Sequence, residues 1–303
     1  MKKILSSLWR KLFYSPYFFT IALRKKASDN IIAVPQFDAD FIFPATYKDW
    51  CADPILIDFE EKTYLFYEAV KGIKGQIEVV QVFDDGTVST PTVILEDNCH
   101  HSYPFVFHHQ QQWYMIPESS ESEEVCLYKA TAFPEKWEPV KVLMKQKSVD
   151  TTVFEYNGSI YLLTYLLCPG SERVQPQAYR LEWDEDALDL LPIAWDHYDA
   201  LACRGAGQTF LADGALIRPA QLNYSNQYGN AVLYYQISTT QNAYSEVQVG
   251  KLMPEQVNVP GIWMDGLHTY AISNKFEAID IRCREFEAGK ILRVLRSRFA
   301  PTK

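Results

Sequence analysis

Asp53, Tyr103 and Asp150 recur at near-equal spacing along the chain, each opening a run of apolar, strand-forming residues. Two later runs open on Arg204 with Gln208 and on His268, and His101 lies just ahead of Tyr103. The runs that follow end on Glu68, Glu118, Arg218 and Gln221. An isolated charge in an apolar strand is costly unless it is paired or used. A carboxylate so placed can act as acid or base, and a guanidinium can bind phosphate or carboxylate through two parallel hydrogen bonds. The chemistry requires these residues to meet in space, so the question passes to the elements that carry them.

An internal repeat supplies the answer. Residues 52–68, ADPILIDFEEKTYLFYE, align without a gap on residues 102–118, SYPFVFHHQQQWYMIPE, with Pro54 over Pro104, Tyr64 over Tyr114 and Glu68 over Glu118. Further copies start at Asp150, near Gly205 and near Asp265, giving a period of roughly 50–60 residues. Each copy reads as two strands joined by a tight turn, and Asn157-Gly158 and Asp213-Gly214 are type I′ hairpin signals. Further strands fill the intervals, as at Ile77–Phe83 and Val125–Ala130. Four strands per repeat make a propeller blade. The expected fold is therefore all-β, a five-bladed β-propeller over 18–284 with short amphipathic segments at 1–17 and 285–303. A β-sandwich, the alternative, would not predict self-similarity at this period. In a propeller the first strand of every blade runs along the axis, which would gather the residues named above into one funnel.

The chain resembles the N-terminal domain family of the glucosamine inositolphosphorylceramide transferases and, more distantly, the five-bladed family 43 glycoside hydrolases. The residues that carry the resemblance are WCADP (50–54), SYPFVF (102–107), MIPE (115–118), LYKATAFPEKW (127–137), DTTVF (150–154), RGAG (204–207) and RPAQ (218–221). Tyr228-Gly229, YSE (244–246) and GLHTY (266–270) continue it, so it spans nearly the whole chain. It implies a carbohydrate-active enzyme. Asp53 and Asp150 match two of the three acids of the family 43 hydrolases, a base and a pKa-tuning aspartate. The place of their general acid, near Arg204–Gln208, holds no carboxylate.

A glycosidase must protonate its leaving oxygen. An arginine in place of that acid suits a diphosphate leaving group, which needs charge neutralisation instead. The first expectation is thus a glycosyltransferase of cell-surface polysaccharide or glycolipid assembly that uses a sugar nucleotide. Asp53 or Asp150 would act as base, and His101, Arg204, Arg218 and His268 would grip donor phosphates. Glu118 or Glu246 could act as acid, while Glu68, Tyr103, Gln208, Gln221 and Tyr228 would bind substrate. The alternatives are a family 43-like hydrolase with a relocated acid and a non-catalytic glycan-binding propeller. No obligatory cofactor is evident; His268 could help to hold a divalent cation.

Composition narrows the setting. Apolar residues are 48% and charged residues 22% of the 303, as in ordinary globular chains, and aromatics reach 14%. Six scattered cysteines form no C-x-x-C pair, which suits free thiols in a reducing compartment. Both ends are basic, and the net charge of −9 leaves the middle, 29–280, at −21; nucleic acid is therefore not an expected partner. On a helix, Ile4, Leu5, Leu8, Trp9 and Leu12 share one face of residues 1–13, the pattern of an interfacial segment. Residues 290–299 repeat it, and the N-terminal apolar run Phe18–Leu23 reads as neither a cleaved signal nor a membrane span. The expected location is cytoplasmic, peripheral on the inner face of the membrane.

Overall fold

The computed structural model describes residues 13–26, 31–32, 35–119, 121–168, 174–184, 187–195, 198–224 and 227–286. The amphipathic segment expected at 1–13 (Phe13 apart) and that at 290–299 lie outside them. Strands that open each repeat are rich in Val, Ile and aromatic residues, and their position explains it. Asp49–Phe59 and Ser148–Tyr156 are buried along most of their length, not on alternate residues, as strands covered on both faces must be. The strand Lys136–Met144, which ends a repeat, is exposed at most positions. Burial falls from the first strand of a unit to the last, a gradient about a central axis.

The sheets follow that gradient. One is the meander Asp49–Phe59, Lys62–Lys71, Lys74–Val82, Thr92–Leu95, and the next is Ser102–His109, Gln112–Glu118, Val125–Ala132, Lys136–Met144. An eight-stranded sheet contains Ser148–Tyr156, Ser159–Leu167, Val174–Trp183 and Leu188–Trp195, then Ala243–Leu252, Gln227–Thr239, Ala215–Tyr224 and Phe210–Ala212. Among the described residues its halves pair as strands through a short parallel stretch of Ala194 and Trp195 with Ala243 and Tyr244. The last sheet runs Met264–Ile272, Phe276–Cys283, Phe18–Lys25, Phe41–Ile42. Here Phe18 to Lys25 pair with Cys283 to Phe276, so early and late strands close one sheet. The fold is a β-propeller, not a sandwich.

The hairpin turns are built alike. Asn157 and Asp213 take φ of 51° and 50°, each followed by a glycine of positive φ, the type I′ geometry that matches strand twist. Glu60-Glu61 and Gln110-Gln111 occupy the corresponding turns with φ between 46° and 63° and no glycine at all. Glutamate and glutamine bear a Cβ penalty in that region, of order 1 kcal/mol per residue. Replacing Glu60-Glu61 with Asn-Gly is expected to stabilise the fold by about 1 kcal/mol, read as a rise in urea midpoint at unchanged slope.

Many of the aromatics pack between sheets. Phe133 stacks on Trp113 at 4.4 Å between ring centres and meets Phe59, Tyr64, Phe66 and Trp137 edge-on or tilted. All six cysteines are free.

Candidate active site

Four of the first strands are interrupted at the same place, while Phe210–Ala212 pairs without a break. Register breaks lie between Ala52 and Ile55, Ser102 and Phe105, Val149 and Thr152, and Leu267 and Tyr270. Inside the first three breaks Asp53, Tyr103 and Asp150 have φ of 53°, 42° and 50°. Such strain costs of order 1–3 kcal/mol per residue and persists where surroundings over-determine it. A bulge re-aims a side chain, and here it frees backbone amides that the ladder would have used.

Those amides tie one sheet to the next through carboxylates. Asp53 N–H donates to Asp280 Oδ2 at 3.0 Å, Tyr103 N–H to Asp53 Oδ2 at 3.1 Å, and Asp150 N–H to Glu118 Oε2 at 3.3 Å. Asp280 Oδ1 also accepts from His268 N–H and Thr269 N–H. The Thr269 hydroxyl donates to Asp53 Oδ1 at 3.1 Å. Arg204 clasps Asp150 through Nε at 2.5 Å and Nη2 at 3.1 Å, with Gln221 Nε2 at 3.4 Å from the same carboxylate. The Arg204 guanidinium also lies 5.2 Å from the Tyr228 ring centre, and Tyr228 meets His268 edge-on. Residues separated by more than two hundred positions thus form one continuous polar cluster.

Tyr103 lies beneath this cluster. Its phenol accepts from Gly207 N–H at 2.9 Å and lies 3.0 Å from the Thr152 hydroxyl. A Cβ on Gly205 would sit 2.9 Å from that phenol oxygen, and one on Gly207, at φ 117°, would fall 2.2 Å from the Tyr270 carbonyl. The RGAG segment is side-chain-free at these points because the Tyr103 phenol crowds Gly205 and the Tyr270 backbone crowds Gly207. That packing leaves no room for a carboxylate at Gly205 or Gly207.

The cluster separates proton states. Burial pushes the Asp53 carboxyl up to about 7, opposed by the charge of His268 and assisted by Glu68, Asp280 and Asp150. Burial and the Asp150 charge push Glu118 up to about 8 against the pull of Arg204. His268 loses by burial but gains more from Asp280, 2.7 Å from its Nδ1, and from Asp53, so its pKa rises; Asp280 falls correspondingly. Groups raised in the folded state stabilise it most below their unfolded pKa, and that contribution is lost as pH climbs through the folded value. Glu118→Gln is therefore expected to raise the melting temperature relative to the parent at about pH 9 and leave it nearly unchanged at about pH 5.

Several sequence expectations need correction. Arg218 is fully buried and donates to Glu246 through Nε and Nη2, both at 2.7 Å, and to Tyr165 Oη and Cys203 O. It holds the two halves of the eight-stranded sheet and is not a phosphate ligand, and Glu246 is its counter-ion, not a substrate contact or mobile acid. His101 is buried with its Nδ1 2.7 Å from Ser119 Oγ and its Nε2 2.9 Å from Asp97, so it does not face the cluster. The neighbouring His100, which the sequence reading had passed over, accepts from Gly75 N–H at Nδ1 and presents Nε2 to Glu68 at 2.7 Å.

Gln208 reaches across to Val106 O at 3.3 Å and lines a separate cavity of ≈ 310 Å³ with Phe107, Trp113 and Phe154. Of its lining, Ile57, Val106, Phe107, Val153 and Phe154 lie three or four positions beyond Asp53, Tyr103 and Asp150 on the same strands, hence roughly 10–13 Å along the axis at strand rise. Asp280 is the residue the sequence reading missed; it sits on the second strand of the last sheet, within the least regular of the repeat copies.

Asp53, His268 and Asp280 offer ligand atoms within 4.8 Å of one another. Two carboxylates and an imidazole could ligate a divalent cation, but Asp280 Oδ1 is already occupied by two amides and the imidazole. As it stands the imidazole bridges the two carboxylates, with Nδ1 2.7 Å from Asp280 and Nε2 3.4 Å from Asp53.

Comparison with known proteins agrees with this architecture. An α-L-arabinofuranosidase from Podospora anserina, solved with cellotriose, superposes with a TM-score of 0.55 at 12% identity, covering 78% of this chain and 91% of that one. The RS223 β-xylosidase gives 0.55 at 13% identity over 78% and 92%; both likenesses concern the fold. By sequence, the glucosamine inositolphosphorylceramide transferase 1 of Oryza sativa subsp. indica is 31% identical over 227 residues, 71% of this chain. The match covers only 30% of that relative's length. The family model for the N-terminal part of glucosamine inositolphosphorylceramide transferase 1 matches residues 22–275. That range takes in Asp53, Glu118, Asp150, Arg204 and His268, and the chain belongs to this family.

Proposed function

We propose that this propeller is a carbohydrate-active unit that transfers a sugar from an activated donor to a glycolipid-type acceptor, using the axial cluster. In this reading the eight-stranded sheet is two blades in edge contact, making five in all. The observation that carries the proposal is the pairing of two carboxyl groups raised to about 7 and about 8 with an arginine–aspartate clamp. Near neutral pH one carboxyl can be ionised while the other holds its proton, which is the division of labour that glycosyl chemistry needs. Asp53 takes the acceptor proton. Arg204, whose side chain is one-fifth exposed, offers charge to a departing phosphate, and Asp150 fixes its orientation. The relatives' name supports a glycolipid acceptor, although those proteins are far longer than this chain.

A second reading is favoured by the same Glu118. A carboxyl pushed up to about 8, so that it keeps its proton at neutral pH, is what a glycosidase uses to protonate its leaving group, and it would replace the acid absent near Arg204. One experiment separates the two. The full chain is offered sugar nucleotides with an inositol phosphate glycolipid, and in parallel aryl glycosides. Donor-dependent glycosylation of the lipid supports transfer. Release of the aryl group without donor use supports hydrolysis, and binding without turnover in either assay defeats both.

A further inference from the structure

We propose that residues 14–17 and 284–286, which leave the propeller side by side, form with Trp263 an aromatic patch that, together with the basic sequence flanking it, docks the propeller onto an anionic lipid surface. This goes beyond the sugar chemistry and stands independently of it. Tyr14 forms an isolated bridge with Phe286, Ser15 N–H donates to Glu285 O, and Glu285 N–H donates to Ser15 Oγ, both at 2.9 Å. The first and last described segments therefore leave the fold side by side.

Around that exit lies a group of large rings. Phe286, Tyr17 and Trp263 are 59%, 52% and 42% exposed, with Tyr14 packed against both Trp263 and Phe286. Arg284 lies 5.7 Å from the Tyr17 ring centre. Trp and Tyr favour the boundary between acyl chains and water, where one edge of the ring is apolar and the other is wet.

Charge selects the partner. Residues 1–12 carry four basic groups and no acid, and residues 287–303 carry five basic groups and one acid. The remainder of the chain then holds −17 of the total −9. An anionic bilayer would repel the body and attract this one end, fixing orientation as well as affinity. The apolar positions Leu5, Leu8 and Trp9, and Ile291 and Leu295, stand among those basic residues at helical spacing, which suits insertion beside headgroups.

The test is co-sedimentation of the full chain with vesicles of phosphatidylcholine alone or with about 30% phosphatidylglycerol, at about 0.1 M salt. Partitioning onto the anionic vesicles is expected to be at least ~10-fold stronger and to collapse at about 0.5 M salt. Trp263→Ser with Phe286→Ser should weaken it about fivefold, and Lys2→Glu, Lys3→Glu, Arg10→Glu and Lys11→Glu together by ~20-fold or more. Unchanged circular dichroism and melting of each variant keep these results apart from misfolding. Equal binding to both vesicle types overturns the proposal, as does binding that the variants leave intact. Preference for double-stranded DNA over anionic vesicles would overturn it too. So would hydrogen exchange that finds residues 1–12 sealed onto the ring cluster in lipid-free protein that does not sediment.

Discussion

Asp53→Asn is expected to lower the turnover of this propeller about 1,000-fold while leaving its fold intact. General base catalysis contributes about 10²- to 10⁴-fold, and Asp53, the base proposed above, is also the acceptor for Tyr103 N–H and the Thr269 hydroxyl. An asparagine oxygen can still accept one of these, so the bulges keep most of their support and only proton transfer is lost. The pH profile carries the sign. Rate should rise as Asp53 loses its proton near pH 7 and, if Glu118 serves as acid, fall as Glu118 loses its own near pH 8. The two limbs belong to the coupled pair and not to isolated groups. Asp53→Asn removes the acidic limb, and Glu118→Gln removes the alkaline one only if leaving-group protonation is required. A transferase expelling a diphosphate should keep its rate at high pH in Glu118→Gln and in the parent alike, so the alkaline limb also distinguishes transfer from hydrolysis. Turnover of Asp53→Asn within about threefold of the parent would exclude Asp53 as base.

Arg218→Ala should be the most destabilising polar substitution in the chain, costing about 3–5 kcal/mol because it strands Glu246 as an uncompensated buried charge. The guanidinium is completely buried and sits 5.5 Å and 5.3 Å from the ring centres of Trp195 and Tyr235. It bonds the phenol of Tyr165 from one half of the eight-stranded sheet and the carboxylate of Glu246 from the other. Breaking it would loosen the point where those halves touch most sparingly. Replacing both partners together, Arg218→Met with Glu246→Leu, should recover most of the loss, since the desolvation penalty disappears with both charges. Urea unfolding of the two singles and the double reads the comparison directly. An Arg218→Ala protein as stable as the parent but deficient in donor binding would restore the phosphate role that the buried pair contradicts.

The parts of this molecule legible in its sequence are those that recur. Asp53, Tyr103 and Asp150 could be placed at one end of an axis because the repeat puts each of them at the start of a first strand. Asn157-Gly158 and Asp213-Gly214 marked their turns because glycine advertises positive φ. Glu60-Glu61 and Gln110-Gln111 make the same turn under tertiary constraint and carry no such mark. His100 and His101 differ by one residue, which on an extended chain is the difference between opposite faces, and periodicity alone chose the wrong one as the residue near Asp53. Arg218 looked like a ligand because charge in a strand suggests use; its partner Glu246 stands 28 residues on, across two strand crossings, where spacing gives no hint. Asp280 was invisible for a related reason. Its work is done through the backbone amides of Asp53, His268 and Thr269, and amides leave no trace in a sequence.

One axial cluster is expected to hold Asp53 and Glu118 in different proton states near neutral pH. Carboxyl carbon-13 resonances of the two residues, assigned through Asp53→Asn and Glu118→Gln, would report those states directly during a pH titration. Apparent midpoints near 7 and near 8 are predicted, with each moving when the other residue is replaced. Two independent transitions at the ordinary carboxylate values, about 3.9 and 4.3, would contradict the account.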